Sequence, residues 1–244
     1  LEQKHKKLGD ILRPIRKLRQ LLSQNPNFES LKENTLFASN LHITLLKTLD
    51  PQVHQNNSKL MVEIMSCFSN ICFSNQKYLQ ILFDLDLIGK VEHFLKGWRV
   101  KIVEGVFWML SNFTSQFPLV KKTIYSNGYV DLILQNVETL KDSPKLSAII
   151  AWFSSNLAQN LNSEDLLNVQ KLLLGLKFLF YNKIGSEVVQ EMTWAVNYFL
   201  DNDAPDCEFI VNQLGLIQQL KKIFYSNQIQ TIYPITRIFG KLSM

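Results

Sequence analysis

Apolar residues recur at helical spacing in five segments of seven to nine residues. Within each segment they stand at i, i+3 and i+4, which places them on one face of an α-helix and predicts an amphipathic helix. The five segments are LHITLLKTL (41–49), LIGKVEHFL (87–95), YVDLILQNV (129–137), LGLKFLFYN (174–182) and LGLIQQL (214–220).

Turn-forming residues separate these helices. Gly128 suits a corner between two helices, and Pro205 is expected to end a helix near Asp203. Pro144 is expected in the first turn of another helix, where proline is tolerated. The segment PQVHQNNS at 51–58 is predicted to be the loosest loop of the chain.

A further helix follows each segment, and three of these helices carry tryptophan in matching frames. Trp108 lies in EGVFWMLSN, Trp152 in AIIAWFSSN and Trp194 in VQEMTWAVNY. Each tryptophan is followed four positions later by a polar residue, and two weaker frames, EIMSCFSN and ITRIFGK, also end in a polar residue. The five frame-ending residues are Asn70, Asn112, Asn156, Tyr198 and Lys241.

The spacing of these frames predicts the fold. Successive frame-ending residues are 42, 44, 42 and 43 positions apart. A period of this size is typical of stacked helical solenoids of the armadillo or HEAT kind, in which one repeat cannot bury its apolar face alone. We therefore expect an all-α fold, a right-handed armadillo-repeat superhelical solenoid, with residues 1–244 forming a single domain.

Composition agrees with a well-packed helical chain, because 46% of the residues are hydrophobic and only 9 are Gly and 7 Pro. The 3 cysteines lack zinc-ligand spacing and are expected to be small core residues in a reducing compartment. No apolar run reaches the roughly 18 to 20 residues of a membrane span. The opening LEQKHKK lacks the apolar stretch of a secretory signal.

The net charge of +5 is concentrated at the start of the chain. Residues 1–20 hold seven basic and two acidic side chains, and the remainder holds 19 of each. A neutral solenoid offers no basic groove for a phosphate backbone, so nucleic acid is not an expected partner. The basic segment is more typical of a solvated first helix than of a targeting or autoinhibitory tail.

Tryptophan and asparagine four residues apart share one helix face, so stacked helices would align them in two parallel ladders. An amide can bind both the N–H and the C=O of an extended peptide backbone. Neighbouring indoles would form slots for Lys and Arg side chains, with a cation–π attraction of about 0.5 to 2 kcal/mol. A lone helical tryptophan is more often core packing, an interpretation that we keep for Trp98, but three in matching frames favour a peptide track.

These frames resemble the importin-α family, the adaptors that carry nuclear localisation signals, over nearly the whole chain. In that family successive repeats read WxxxN, then one repeat has Tyr for Asn, and the next has Arg for Trp. The matching residues here are Trp108 with Asn112, Trp152 with Asn156, Trp194 with Tyr198 in WAVNYFLDN, and Arg237 in RIFGK. The chain would then run from about the first repeat to the sixth, beginning with KLRQLLSQNPN at 17–27.

The resemblance implies a nuclear import adaptor found in the cytoplasm and the nucleus. Its implied partners are nuclear localisation peptides or cargo proteins, with an importin-β-type carrier as a further candidate, and no membrane or cofactor. Glu191 and Asp201 stand where the family's tyrosine repeat has acids that face basic cargo. The implied peptide-binding residues are Asn70, Trp108, Asn112, Trp152, Asn156, Glu191, Trp194, Tyr198, Asp201 and Arg237.

Four positions depart from the family pattern. Ser66 replaces the first expected tryptophan, and Gln116 replaces an acid eight residues after Trp108. Ile149 and Lys241 replace two asparagines. Loss of a carboxylate that pairs with a cargo lysine would cost about 1 to 3 kcal/mol of binding. A second hypothesis therefore stays open: a divergent armadillo scaffold that has lost cargo binding and serves as a structural or protein-interaction subunit of a larger complex.

Catalysis is not expected from this sequence. It contains no GxxxxGK[ST], HExxH or GxSxG motif, and no GxGxxG after a predicted strand. The four histidines are scattered, without a cysteine or carboxylate at matching spacing. We expect neither an enzyme nor a bound metal.

Overall fold

The computed structural model describes residues 2–24, 31–49, 57–96, 99–135, 142–181, 185–201, 207–226 and 229–243. These residues form helices and short helical turns, and no strand. They cluster into two compact units, Leu1–Val120 (unit 1) and Lys121–Met244 (unit 2). The predicted all-α fold is confirmed, whereas the assignment of residues 1–244 to a single domain stays a prediction. No helix in the described part of the chain is long and apolar enough to cross a membrane.

Unit 1 is built on three helices that pack in sequence: α1 (Glu2–Ser23) packs against α4 (Ser58–Ile71), and α4 packs against α7 (Val100–Gln116). Leu60, Ile64 and Phe68 of α4 are fully buried. Burial of each such side chain stabilises the fold by about 1.5 to 3 kcal/mol. The α-helices described in unit 1 are α1 (Glu2–Ser23), α2 (Leu31–Ala38), α3 (Leu41–Thr48), α4 (Ser58–Ile71), α5 (Gln76–Asp84), α6 (Leu87–Glu92), which continues as a 3-10 turn at His93–Leu95, and α7 (Val100–Gln116).

Gly105 permits the close approach of α4 and α7. A Cβ atom at this position would lie 2.9 Å from Cβ of Met65. Because a Cβ atom is fixed by the backbone, a change of side-chain rotamer cannot relieve this contact. The absence of a side chain at Gly105 therefore sets how closely the two helices pack.

Unit 2 has the same kind of arrangement: α10 (Pro144–Ala158), α12 (Ser186–Phe199) and α14 (Ile229–Leu242) also pack in sequence. Phe153 of α10 and Phe199 of α12 are fully buried between these helices and their neighbours. The helices are α8 (Pro118–Ser126), in which the division between the units falls, α9 (Tyr129–Gln135), α10 (Pro144–Ala158), α11 (Leu166–Gly175), α12 (Ser186–Phe199), α13 (Ile217–Tyr225) and α14 (Ile229–Leu242), with 3-10 turns at Ser163–Asp165 and Lys177–Phe180 and a π turn at Phe209–Gln213.

Three of the five predicted amphipathic helices are confirmed, as α3, α6 and α9. The helix predicted over 174–182 is wrong, since α11 ends at Gly175 and only a 3-10 turn follows. A Cβ atom on Gly175 would overlap the Leu134 side chain, which shows that α9 packs directly against the end of α11 at this glycine. The helix predicted over 214–220 begins only at Ile217, because Gly215 has a left-handed φ of +59°.

The predicted turns are confirmed where the structure describes them. Gly128, with φ of +71°, forms the corner between α8 and α9. Pro144 lies in the first turn of α10, and the Ser143 hydroxyl accepts a hydrogen bond from the Leu146 N–H. The predicted helix stop near Asp203, and 51–56 of the predicted loop, lie outside the described residues.

Side chains of α8 bind the carbonyl groups at the end of α10. Tyr125 Oη donates to the Leu157 carbonyl at 2.7 Å, and Lys121 Nζ donates to the Gln159 carbonyl. The last carbonyls of a helix have no partner within the helix, and the helix dipole favours a cation beside them. Burial nevertheless lowers the pKa of Lys121 to about 8.

Candidate functional site

The residues predicted to bind peptide lie on the helices that pack in sequence within each unit. We call them the ladder face of unit 1 and the ladder face of unit 2. The first consists of Asn70 on α4 and Trp108 and Asn112 on α7. The second consists of Trp152 and Asn156 on α10, Glu191, Trp194 and Tyr198 on α12, Asp201 just after α12, and Arg237 on α14. Trp98, interpreted above as core packing, lies outside the described residues.

The tryptophans of the ladder faces are accessible, and the asparagines much less so. Trp108 is 46% exposed, which is unusual for a tryptophan that serves only core packing. Trp152 and Trp194 are half-buried. Asn112 and Asn156 are 9% and 6% exposed, so little of either residue reaches solvent.

The Asn112 amide joins two helices of unit 1. Its Nδ2 donates to the Ser69 carbonyl at 2.8 Å. That carbonyl lies in the last turn of α4, where backbone oxygens lack helical partners. One donor of Asn112 therefore holds α7 to α4. The predicted peptide-binding role of Asn112 stays a prediction.

Lys241 takes the corresponding position in unit 2. Its Nζ donates to the Asn197 carbonyl at 2.8 Å and to Asn197 Oδ1 at 2.9 Å. Asn197 precedes Tyr198, just as Ser69 precedes Asn70, so both contacts end one residue before a frame-ending residue. Lysine at 241 thus keeps the donor that asparagine supplies at 112, and it adds a charge.

The added charge lies against Asp201. Lys241 Nζ is 2.5 Å from Asp201 Oδ1, and Arg237 Nη2 is 3.2 Å from the same oxygen. Arg237 also lies over the Tyr233 ring at 5.8 Å, and its Nη1 donates to Tyr233 Oη at 3.3 Å. Asp201, predicted to face basic cargo, is therefore bound by two cations of its own chain.

Aromatic side chains surround this cluster. The Trp194 and Tyr198 rings stack with centroids 5.4 Å apart, and Trp194 meets Tyr233 at 5.8 Å. Burial and the nearby Glu191 and Asp201 carboxylates raise the pKa of Tyr198, so it is an uncharged hydrogen-bonding group at neutral pH. The structure thus brings Trp194 and Tyr198 together and adds Tyr233.

Glu191 is a half-buried carboxylate that forms no ion pair with a described residue. Its Oε2 accepts a hydrogen bond from the Ser155 hydroxyl of α10 at 2.6 Å. Burial raises the pKa of Glu191, the Ser155 bond opposes that shift, and the neighbouring Glu187 adds to it. A carboxylate in this environment gains more than a solvated one from an incoming cation.

Glu63 in unit 1 contrasts with Glu191. It lies on α4 and pairs with two arginines of α1: Arg16 Nε is 3.0 Å from Oε1, and Arg19 Nε is 2.6 Å from Oε2. The basic first segment predicted to be solvated is helical, and it uses two of its charges on this carboxylate. Glu63 is therefore already paired.

Repeat alignment explains why both acids are half-buried. Glu63 and Glu191 each stand three residues before a tryptophan-frame position, which is Ser66 in α4 and Trp194 in α12. The same position in the other frames carries Gly105, Ile149 and Pro234. Gly105 closely approaches α4, and Ile149 and Pro234 are buried, so this position faces the packing partner.

Sequence reasoning missed Glu63, Tyr233 and the Ser155 partner of Glu191. Aligning the position three residues before each tryptophan frame would have singled out Glu63. The spacing of four between Tyr233 and Arg237 would have placed them on one face of α14. Ser155 had no signal of its own in the sequence.

Three of the positions that depart from the expected repeat pattern are Ser66, Gln116 and Ile149, and the structure shows the surroundings of each. The Ser66 hydroxyl donates to the Val62 carbonyl within α4 at 2.8 Å. Gln116 is exposed at the end of α7, and among the described residues its amide donates to the Ser115 hydroxyl at 3.4 Å. Ile149 is 4% exposed and belongs to the core. None of the three offers a charge to a cationic side chain.

The cysteines and histidines form no metal site among the described residues, which contain no group of three His, Cys, Asp or Glu side chains able to hold an ion. Cys67 and Cys72 are buried core thiols, as predicted, and Cys207 is half-buried. Burial raises the pKa of Cys67 to about 12. Burial also raises the pKa of Cys72. Cys67 and Cys72 are therefore unreactive at neutral pH.

Comparison with known proteins identifies the fold. No protein-family model matches the sequence, and no curated protein matches it. Solved structures do match. A designed armadillo repeat protein in complex with the peptide (KR)4 has a TM-score of 0.78 at 15% identity, over 98% of this chain and 94% of that one. The fold is an armadillo-repeat fold.

Two further structures agree. A second designed armadillo repeat protein has a TM-score of 0.79 at 14% identity, covering 95% of this chain and 92% of that chain. A computationally designed armadillo repeat protein for modular peptide recognition has a TM-score of 0.75 at 16% identity, covering 93% and 91%. The armadillo repeat predicted from the 42- to 44-residue period is thus confirmed.

Proposed function

We propose that this protein is an armadillo adaptor that binds extended, Lys/Arg-rich peptides on its ladder faces, of the class to which nuclear localisation signals belong. The observation that carries the proposal is Glu191. It is a half-buried carboxylate beside Trp194, with a raised pKa and no ion pair among the described residues. A desolvated acid next to aromatic rings suits a cation on an aliphatic stem.

The ladder asparagines would hold the peptide backbone. Asn112 donates one N–H to the Ser69 carbonyl, and Asn70 is half-buried on α4. Trp108, at 46% exposure, would contact the aliphatic part of a cargo side chain. Main-chain bonding of this kind tolerates many cargo sequences, because every residue offers the same backbone groups.

Nuclear import is the physiological role that we propose for this binding. The order of exceptions in the sequence, Tyr198 followed by Arg237, supports it. So does the fold shared with a designed armadillo protein that was solved with a (KR)4 peptide. The partners would be nuclear localisation peptides or their cargo proteins, with an importin-β-type carrier, in the cytoplasm and the nucleus.

The second candidate is a scaffold that has lost cargo binding and joins a larger complex. The pairing of acids with the chain's own cations favours it. Glu63 is held by Arg16 and Arg19, and Asp201 by Lys241 and Arg237. Under this hypothesis the ladder residues serve repeat stacking alone.

Titration of a KKKRK-type peptide separates the two functions. We expect a change in tryptophan fluorescence, micromolar or better affinity, and a fall in affinity with added salt, because screened charges hold part of the peptide. Glu191→Gln should weaken binding by about 1 to 2 kcal/mol. The matched control Glu164→Gln removes an exposed acid of the same unit and should leave the affinity unchanged.

A norleucine version of the peptide keeps the aliphatic stems and removes the charges. It should bind the native protein and Glu191→Gln equally. No response of the native protein to a large excess of the basic peptide at low salt would exclude the adaptor function and favour the scaffold.

A further inference from the structure

The Lys241 ammonium has a full set of acceptors. Asp201 Oδ1 lies 2.5 Å from Nζ, the Asn197 carbonyl 2.8 Å and Asn197 Oδ1 2.9 Å. Three acceptors match the three N–H donors of an ammonium group. The Lys241 side chain is 19% exposed, and Asn197 is fully buried. Lys241 is thus fixed in position by the interior of unit 2.

The Asp201 carboxylate is likewise occupied. Besides Lys241, it meets Arg237 Nη2 at 3.2 Å on Oδ1 and 3.5 Å on Oδ2, and Asn197 Nδ2 at 3.4 Å on Oδ2. An incoming ammonium would have to displace Lys241 or approach two positive charges. Either step opposes binding, since like charges repel and a displaced Lys241 leaves the buried Asn197 oxygens unpaired.

Glu191, ten residues earlier, shows the opposite state. It has one hydrogen bond, from the neutral Ser155 hydroxyl, and no cation among the described residues. The two acids thus differ in what the neighbouring helix supplies. For Glu191 that is a hydroxyl of α10, and for Asp201 it is two cations of α14.

We propose that Lys241 is a built-in ligand of Asp201 that sets the specificity of unit 2, so that a cationic cargo side chain is accepted at Glu191 and rejected at Asp201. The inference rests on the proposed function and adds a rule about cargo. The peptide carries Lys or Arg where it meets Glu191 and an uncharged side chain where it meets Asp201. Tyr198 and Tyr233, which lie beside Asp201's cations, would favour an aliphatic or aromatic side chain there.

Lys241→Asn is the variant that tests this proposal. Asparagine keeps an N–H donor for the Asn197 carbonyl, as Asn112 does for Ser69, and removes the charge. We expect the KKKRK-type peptide to bind this variant about three- to tenfold more tightly, the range expected for one partly solvated ion pair. The gain should vanish in the double variant Lys241→Asn, Asp201→Asn, and with the norleucine peptide.

The control is Lys221→Asn, which removes a positive charge from an exposed position on α13 of the same unit. An equal gain in this control would mean that bulk charge is responsible and would overturn the proposal. Melting curves of each variant establish that the fold is kept. If Lys241→Asn melts early, Lys241→Gln provides the same test with a longer side chain.

The outcomes separate this inference from the proposed function. Binding by the native protein without a gain in Lys241→Asn overturns the role of Lys241 and leaves the adaptor function standing. Binding by Lys241→Asn alone supports the role of Lys241 and excludes basic cargo for the native protein. No binding by either protein overturns both.

Discussion

The two units use the same contact between packed helices with opposite electrostatic results. In unit 1 a neutral amide, Asn112, donates to the Ser69 carbonyl at the end of α4. In unit 2 an ammonium, Lys241, donates to the Asn197 carbonyl in the last turn of α12. Both donors satisfy a carbonyl that the helix leaves without a partner. Only Lys241 brings a charge, and that charge lies against Asp201.

The two units also differ in the partners of the glutamate that stands three residues before a tryptophan-frame position. Glu63 of unit 1 is neutralised by two arginines of α1, whereas Glu191 of unit 2 meets only a hydroxyl of α10. The repeat thus determines where a side chain lies, and the neighbouring helix determines whether its charge is available. Cation binding in such a fold has to be inferred from pairs of helices rather than from one motif.

The largest expected effect concerns the packing that makes these contacts possible. Gly105→Ala should lower the free energy of unfolding by about 1 to 3 kcal/mol, because its Cβ atom would lie 2.9 Å from Met65 Cβ. The better helix propensity of alanine offsets only about 1 kcal/mol of this cost. Gly240→Ala is the matched control, since nothing lies within 4 Å of its added Cβ atom. Urea denaturation should show that Gly240→Ala is at least as stable as the native protein. Equal free energies of unfolding for Gly105→Ala and Gly240→Ala would contradict the packing argument.

The next largest effect is expected for Asn112, the hydrogen-bond donor between α7 and α4 in unit 1. Asn112→Ala leaves the buried Ser69 carbonyl without its side-chain partner and should cost about 1 to 2 kcal/mol of stability. Asn70→Ala, at a half-buried frame-ending position whose side chain makes no such bond to a described residue, should change stability by less than about 0.5 kcal/mol. If both residues also bind peptide backbone, both variants should lower the affinity for basic and norleucine peptides alike. An Asn112→Ala protein as stable as Asn70→Ala would show that the Ser69 bond contributes nothing.

The sequence predicted the architecture better than the chemistry. The period fixed the repeat because equivalent residues recur on equivalent helices, and the tryptophan frames correctly placed Trp108 on an exposed surface. Whether an acid is available could not be predicted this way. Asp201 and Lys241 are 40 residues apart, and their contact depends on how two helices pack. Lys241, interpreted from the sequence as the loss of an asparagine, makes a hydrogen bond equivalent to that of Asn112 and adds contacts with Asn197 Oδ1 and Asp201.

The two glutamates should respond oppositely to neutralisation. Burial raises the pKa of Glu191, so the folded protein keeps this proton at pH values where the unfolded chain has lost it. Its contribution to stability is therefore greatest at acid pH and declines as pH rises through the folded pKa. Glu191→Gln should be more stable relative to the native protein at pH 7 than at pH 4. Glu63→Gln should instead lose about 0.2 to 1 kcal/mol, as expected for ion pairs whose arginine partners are largely in solvent. Denaturation at both pH values checks this, and parallel behaviour of the two variants would contradict the contrast between the units.

A further effect concerns Lys121, another ammonium of unit 2 that binds a carbonyl at a helix end. Burial lowers its pKa to about 8, so between about pH 8 and 10 the unfolded chain holds a proton that the folded chain has released. Stability contributed by this group should therefore rise with pH across that window. Lys121→Gln keeps a donor for the Gln159 carbonyl and removes the titration. The native protein should gain stability relative to Lys121→Gln as pH increases from 7 to 10, measured by urea denaturation.

The control is Lys122→Gln, which changes an exposed neighbouring lysine and corrects for the general effect of pH on stability. A difference between the native protein and Lys121→Gln that stays constant with pH would mean that the ammonium is as well solvated as any surface lysine.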